Sequence, residues 1–117
     1  MAKIDTVRKL CLGLPHATEH VQWGNDLVFK VGGKMFAVLA LEPSKVWLSF
    51  KAGDDEFEEL CERPGIIPAP YMARARWVGL EPEAELGTAE LKQRLRRAYE
   101  LVLEKMPAKA RAGLGSK

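Results

Sequence analysis

The stretch RPGIIPAPYMARARWVGLE, residues 63–81, carries the residue types best suited to chemistry with an anion. Tyr71, Arg74, Arg76 and Trp77 bring two cations and two aromatics together, the mixture used to hold a phosphate and to stack on a base. Pro64, Pro68 and Pro70 each fix their own φ and push the preceding residue towards extended backbone, so the path into these side chains is stiff and has little entropy to lose on binding. In strand geometry Arg74 and Arg76 share one face, while Ala75 and Trp77 share the other. A structural reading stands beside this one. In it Tyr71, Met72 and Trp77 belong to the core, and the arginines are solvated or paired with the acids of residues 54–62.

Other constellations offer less. The serines are Ser44, Ser49 and Ser116, and the two histidines lie close together in sequence, so no nucleophile, base and orienting group can be assembled from them. Gly32-Gly33 joins two strands rather than opening a helix, which argues against a phosphate loop and nucleotide hydrolysis. His16 and His20 flank Glu19 at i, i+4, a metal-binding spacing on a helix. They follow Pro15 into a strand, however, where four residues separate them by roughly 13 Å. The run Asp54 to Glu62 reads as a solvated helix face rather than as paired carboxylates. The sequence therefore predicts no catalytic residue, no metal and no cofactor.

The elements that must position the arginine loop follow from periodicity. Val7, Leu10, Cys11 and Leu14 mark a short amphipathic helix, with Asp5 as its N-cap and Gly13 as its stop. Residues 19–51 are rich in Val, Phe and Trp, are punctuated by Gly24-Asn25-Asp26, Gly32-Gly33 and Glu42-Pro43-Ser44, and predict an antiparallel meander of about four strands. Gly32-Gly33 sets a tight hairpin closed by Val31 and Lys34. Continuing that register puts Phe29 opposite Phe36 and Leu27 opposite Val38, all on the core face, and turns Lys30 and Met35 to the other. Val46, Leu48 and Phe50 alternate with Trp47, Ser49 and Lys51, which would place Trp47 and Lys51 on that second face too. Phe57, Leu60 and Cys61 stripe a second short helix ended by Pro64, and RWVGLE forms one more strand. Leu91, Leu95, Ala98, Tyr99, Val102 and Met106 stripe a closing helix that Pro107 ends. The expected fold is α+β, a single two-layer domain over 1–107 with an antiparallel sheet of about five strands packed by helices, in the order α-β-β-β-β-α-β-α. Residues 108–117 would be a basic, disordered tail.

Composition limits what such a domain can be asked to do. At 117 residues, 47% hydrophobic and 29% charged, the chain is ordinary for one soluble domain. The longest apolar run, Met35 to Leu41, is far short of the roughly 20 residues that cross a bilayer. No signal-peptide stretch opens the sequence, so no membrane partner is expected and the expected location is cytoplasmic. Cys11 and Cys61 read as reduced core thiols. A net charge of +2 does not announce a nucleic-acid binder, but the charges are segregated. Glu42 to Glu62 holds seven acids against Lys45 and Lys51, whereas Lys92 onwards holds eight bases against Glu100 and Glu104.

Four segments carry a family resemblance: LPHATEHVQWGNDLVFKVGGKMFAVL, VWLSFKAGDDEFEEL, the proline loop with its strand, and ELKQRLRRAYELVLEKMP. From about Val7 to Pro107 the chain resembles the MmcQ/YjbR family. The resemblance implies a compact α+β fold similar to CyaY and to secretion chaperones. It also implies DNA binding, because members are commonly labelled so from a part of the fold that is like the double wing of transcription factors. The family's loop runs closer to Tyr-His-Met-Asn-Lys, with a His before the Trp. Here Tyr71 stands at the His position, Ala73 at the Asn, Arg74 at the Lys, and Arg76 before Trp77. That change keeps charge while removing side chains able to read a base edge. The resulting expectation is a non-enzymatic protein that binds DNA weakly along its phosphate backbone, through Arg74, Arg76, Trp77 and Tyr71, with Lys30, Lys34 and Lys51 from the sheet and Arg94, Arg96 and Arg97 from the closing helix. The alternative is a protein or peptide adaptor using Trp47 or Trp23 and the exposed sheet face.

Overall fold

A computed structural model describes residues 2–22, 24–42, 44–69, 75–84 and 86–106; Trp23, Tyr71, Arg74 and the tail 108–117 lie outside the described residues. Helix α1 (Ala2–Leu12) leads into strands β1 (Ala17–Gln22), β2 (Asp26–Val31), β3 (Lys34–Ala40) and β4 (Leu48–Lys51). Helix α2 (Asp54–Cys61), strands β5 (Ile66–Pro68) and β6 (Trp77–Leu80) and helix α3 (Thr88–Glu104) complete the chain. All pairings are antiparallel and the sheet order is β1-β2-β3-β4-β6-β5. The two-layer α+β expectation holds, with one strand more than expected. Ile66–Pro68 pairs with β6 at the sheet edge, the one place where Pro68 can sit without removing a ladder donor.

One main core joins the helices to one sheet face. Val7 and Cys11 of α1, Leu60 of α2 and Leu91, Leu95, Ala98, Tyr99 and Val102 of α3 meet Leu27, Phe29, Val31, Leu39, Leu48, Phe50, Val78 and Leu80. Asp5 lies in the first turn of α1, which begins at Ala2, so it favours the helix dipole from within rather than as the cap. At α2 the Gly53 N–H donates to the Glu56 carboxylate at 3.0 Å, tying down the helix start.

The Gly32-Gly33 turn is as expected, with φ of 60° and 80° and with Val31 opposite Lys34. Beyond Lys30 and Met35 the predicted register fails. A bulge at Phe36 puts Phe29 opposite Ala37 and Leu27 opposite Leu39, and turns Val38 to the second face opposite Val28. The extra residue allows both Phe36 and Ala37 to be buried in the main core, where Phe36 lies 6.5 Å from the Phe29 ring and edge-on to Tyr99 at 5.6 Å. Trp47 is a second correction. It packs against the main core, and Val46 takes the second face, because regular strand alternation begins only at Leu48. Val46 fills the space over Gly79, where an added Cβ would come within 2.9 Å of its methyl.

Tyr99 connects α3 to the α1–β1 turn by donating to the Pro15 carbonyl at 2.7 Å. Tyr99→Phe removes that bond and leaves the ring packed. It is expected to cost about 1 kcal/mol in urea unfolding.

Candidate nucleic-acid interface

β6 enters the sheet through a turn that fixes Arg76. This residue has φ of 62°, a left-handed conformation uncommon outside glycine, so it is not part of a strand and the expected alternation of arginines does not extend to it. Its carbonyl accepts from the Ala52 N–H at 2.8 Å, its Nε donates to Asp54 Oδ1 at 3.2 Å, and its guanidinium carbon lies 5.3 Å from the centre of the Phe57 ring. Lys51 Nζ closes the same turn by donating to the Ala75 carbonyl at 2.8 Å. Arg76 thus remains exposed, but part of its charge is committed to the acidic start of α2.

Trp77 is not available as a stacking surface. Only 5% of it is exposed, and it packs with Val28, Val38, Ala69 and Met35 in a second cluster on the face away from the helices. Ser49, on β4 between Val38 and Gly79, presents little bulk on that face. The face expected to be open for an adaptor is therefore partly closed by the protein's own tryptophan.

The arginines of α3 do not extend a basic surface either. Arg94 is 16% exposed and bridges Glu56 and Glu90, both at 3.2 Å. Arg97 lies 3.6 Å from both Glu56 and Glu104, and Arg96 is 3.4 Å from Glu100. Arg63 donates to both carboxylate oxygens of Glu90, at 2.6 and 3.1 Å. Glu56 of the acidic α2 thus reaches Arg94 and Arg97, while Glu90, Glu100 and Glu104 answer the arginines from within α3. The bidentate bond from Arg63 foremost holds the Glu90 carboxyl below its ordinary range. Because the depressed group is a carboxylate, its stabilisation is present above the unfolded-state pKa of about 4.3 and is lost as pH falls through the folded value. Glu90→Gln is expected to cost about 1 kcal/mol at pH 7, a figure limited by partial solvent exposure, and to cost progressively less as pH falls below the unfolded-state value. Urea unfolding of both proteins at pH 7 and at a series of lower pH values measures the difference.

What tertiary structure does assemble is a cleft of about 460 Å³ where the turn end of the β2–β3 hairpin meets the end of α3. Lys34, Lys51 and Lys105 rim it, together with Ala75. None of these lysines has an ion pair among the described residues. Burial foremost, and then the charge of Lys105, push the Lys51 amine below its ordinary range, while Asp54 opposes the shift. Lys30, half-buried opposite Met35 and Thr18, shares the second sheet face. Lys105 was the contributor that sequence reasoning missed. It follows the last residue of α3, and nothing in its local pattern distinguishes it from a solvated helix end.

The remaining chemical candidates are separated. His16, with φ of 64°, and His20 on β1 are both exposed. Among the described residues no group of three or more His, Cys, Asp or Glu could hold a metal ion. Cys11 and Cys61 are free, and burial pushes the Cys11 thiol up to about 12 and raises that of Cys61. Neither thiol is disposed to act as a thiolate at neutral pH. No helix among the described residues is long and apolar enough to cross a membrane.

Comparison with known proteins places this arrangement. A family model described as YjbR matches residues 12–101. The chain is 26% identical over 103 residues to YbdF of Escherichia coli O157:H7, covering 86% of this chain and 84% of that one. A crystal structure of the Deinococcus radiodurans protein DR2400, described by a DUF419 domain, superposes with a TM-score of 0.83 at 28% identity, covering 97% of this chain and 88% of the other. A Pseudomonas syringae protein shares the fold at a TM-score of 0.60 and 21% identity, covering 73% of this chain and 86% of that one.

Proposed function

The chain belongs to the YjbR family, and we propose that within it the protein is a non-enzymatic DNA binder that contacts the phosphate backbone with little base discrimination. The observation that carries this reading is the grouping of Lys34, Lys51 and Lys105 at one end of the sheet, unpaired with any carboxylate among the described residues, while the α3 arginines are matched to acids. Arg76 adds an exposed charge beside them, tempered by Asp54. Lysines present compact charge without a fixed bidentate geometry, which suits backbone contact better than base reading. With three phosphates engaged, log affinity should fall with log salt at a slope of about −2 to −3, and Lys34→Ala and Lys105→Ala should each flatten it by about one. Arg96→Ala, which removes a charge already facing Glu100, should leave the slope unchanged. Absence of binding to duplex or single strands at low salt, or a slope indifferent to both lysine substitutions, rejects the proposal.

The adaptor reading retains one observation. β1 is an edge strand, and its Val21 is 60% exposed, a geometry that can accept an added strand. A stoichiometric protein partner that survives nuclease treatment would favour this second reading over the first.

A further inference from the structure

Below its rim of lysines the cleft changes character. Its floor is Met35 from β3, Trp77 from β6, Val102 of α3 and Met106 just beyond that helix, and among the described residues no carboxylate lines it. A phosphate backbone has use for the rim but none for an apolar floor.

We propose that this cleft is a binding site for a small amphipathic organic anion, with a carboxylate or phosphate head held between Lys51 and Lys105 and an apolar body lying on Met35, Val102 and Met106. The size is suitable, since small-molecule sites commonly enclose about 300 to 1,000 Å³. The head position follows from the lysines. Lys51 spends one donor on the Ala75 carbonyl, leaving two of an ammonium's three protons for a ligand. Two neighbouring amines without a carboxylate between them repel each other, and an anion placed there relieves that repulsion. The nearest acid that acts on Lys51 is Asp54, and Arg76 already engages it. The body position follows from the floor. Methionines at 35 and 106 adapt their shape to an aliphatic or aromatic group, and Val102 adds a rigid apolar surface to the same lining.

The inference stands or falls separately from the nucleic-acid reading, and calorimetric titration of the full chain tests it. Octanoate probes a carboxylate head, hexyl phosphate probes a phosphate head, and inorganic phosphate supplies a head without a body. At least one amphiphile is expected to saturate a single site with a Kd of about 1 mM or tighter, and inorganic phosphate to bind at least about tenfold more weakly. The preferred amphiphile identifies the head group. Lys105→Glu, an exposed change at the helix end, should weaken the amphiphile at least about tenfold while leaving the melting temperature within a few degrees. Lys51→Met should do the same to affinity. No saturable binding, binding undiminished in Lys105→Glu, or inorganic phosphate matching the amphiphiles would overturn the proposal. Duplex DNA titrated in parallel separates the two readings: amphiphile binding without DNA binding leaves the cleft and removes the backbone interface, and the converse removes only the cleft.

Discussion

Replacing Trp77 by alanine is expected to lower the unfolding free energy by about 3–5 kcal/mol, the range for emptying a buried aromatic site. The indole is nearly inaccessible and forms the largest side chain of the second cluster, so its removal uncovers Val28 and Val38 together. Collapse around the void is restricted, because β6 is paired on both sides and the Ala69 N–H is already bonded to the Trp77 carbonyl at 2.9 Å. Trp77→Phe keeps an aromatic in place and should cost less than half as much. The experiment also decides the tryptophan's role. A base-stacking residue would cost about 1–3 kcal/mol of DNA affinity on truncation while leaving stability nearly intact. Urea unfolding and DNA titration of the same variant therefore give opposite patterns for the two roles, and a stability loss below about 1 kcal/mol would contradict the structural assignment.

Gly65→Ala is expected to cost about 2–4 kcal/mol, from two causes that add. Gly65 has φ of 83°, and an L-residue in that region is strained by about 1–2 kcal/mol. An added Cβ would also lie 2.6 Å from the Ala84 nitrogen and 2.8 Å from its Cα. These are backbone atoms, which cannot swing aside as a flexible side chain would. Relief would require the chain at Gly65 and the turn at residues 81–84 to separate, breaking the Glu81 N–H bond to the Gly65 carbonyl at 2.7 Å and loosening β5 from β6. Gly87 is the control. It is the N-cap of α3, with an ordinary φ of −68° and open space around a new Cβ, so alanine there should cost only the cap preference for glycine, about 0.5–1 kcal/mol. Equal losses at the two glycines would show that the close approach at Gly65 does not limit stability.

Both experiments bear on the same stretch of chain, which explains how much of it could be read from sequence. The prolines and Trp77 were legible as architecture, since φ restriction and aromatic burial are local tendencies. The partners of the arginines were not. Arg63 meets Glu90, and Arg76 meets Asp54, across 27 and 22 residues of sequence. No period in the chain relates those positions. The same limit explains the basic closing helix. Its charges were counted correctly, and the i,i+4 pairs Arg94–Glu90 and Arg96–Glu100 follow helix spacing, but the bridges from Arg94 and Arg97 to Glu56 depend on where the start of α2 lies in the fold.

By itself the sequence determined the α+β class, the glycine turn between β2 and β3, the meander and the buried stripe of α3. Each of these depends on side-chain period or on the backbone freedom of single residues, and both are properties of a short window. Tertiary structure alone decided the bulge at Phe36, the reversal of Val46 and Trp47, and which side chains Trp77 packs against, because each depends on a space shaped by other strands. It also decided which cations remain available. Charge in a sequence is a count, whereas a charged surface depends on which opposite charges packing brings within about 4 Å. In this fold packing pairs the arginines of α3 and leaves Lys34, Lys51 and Lys105 together at the end of the sheet.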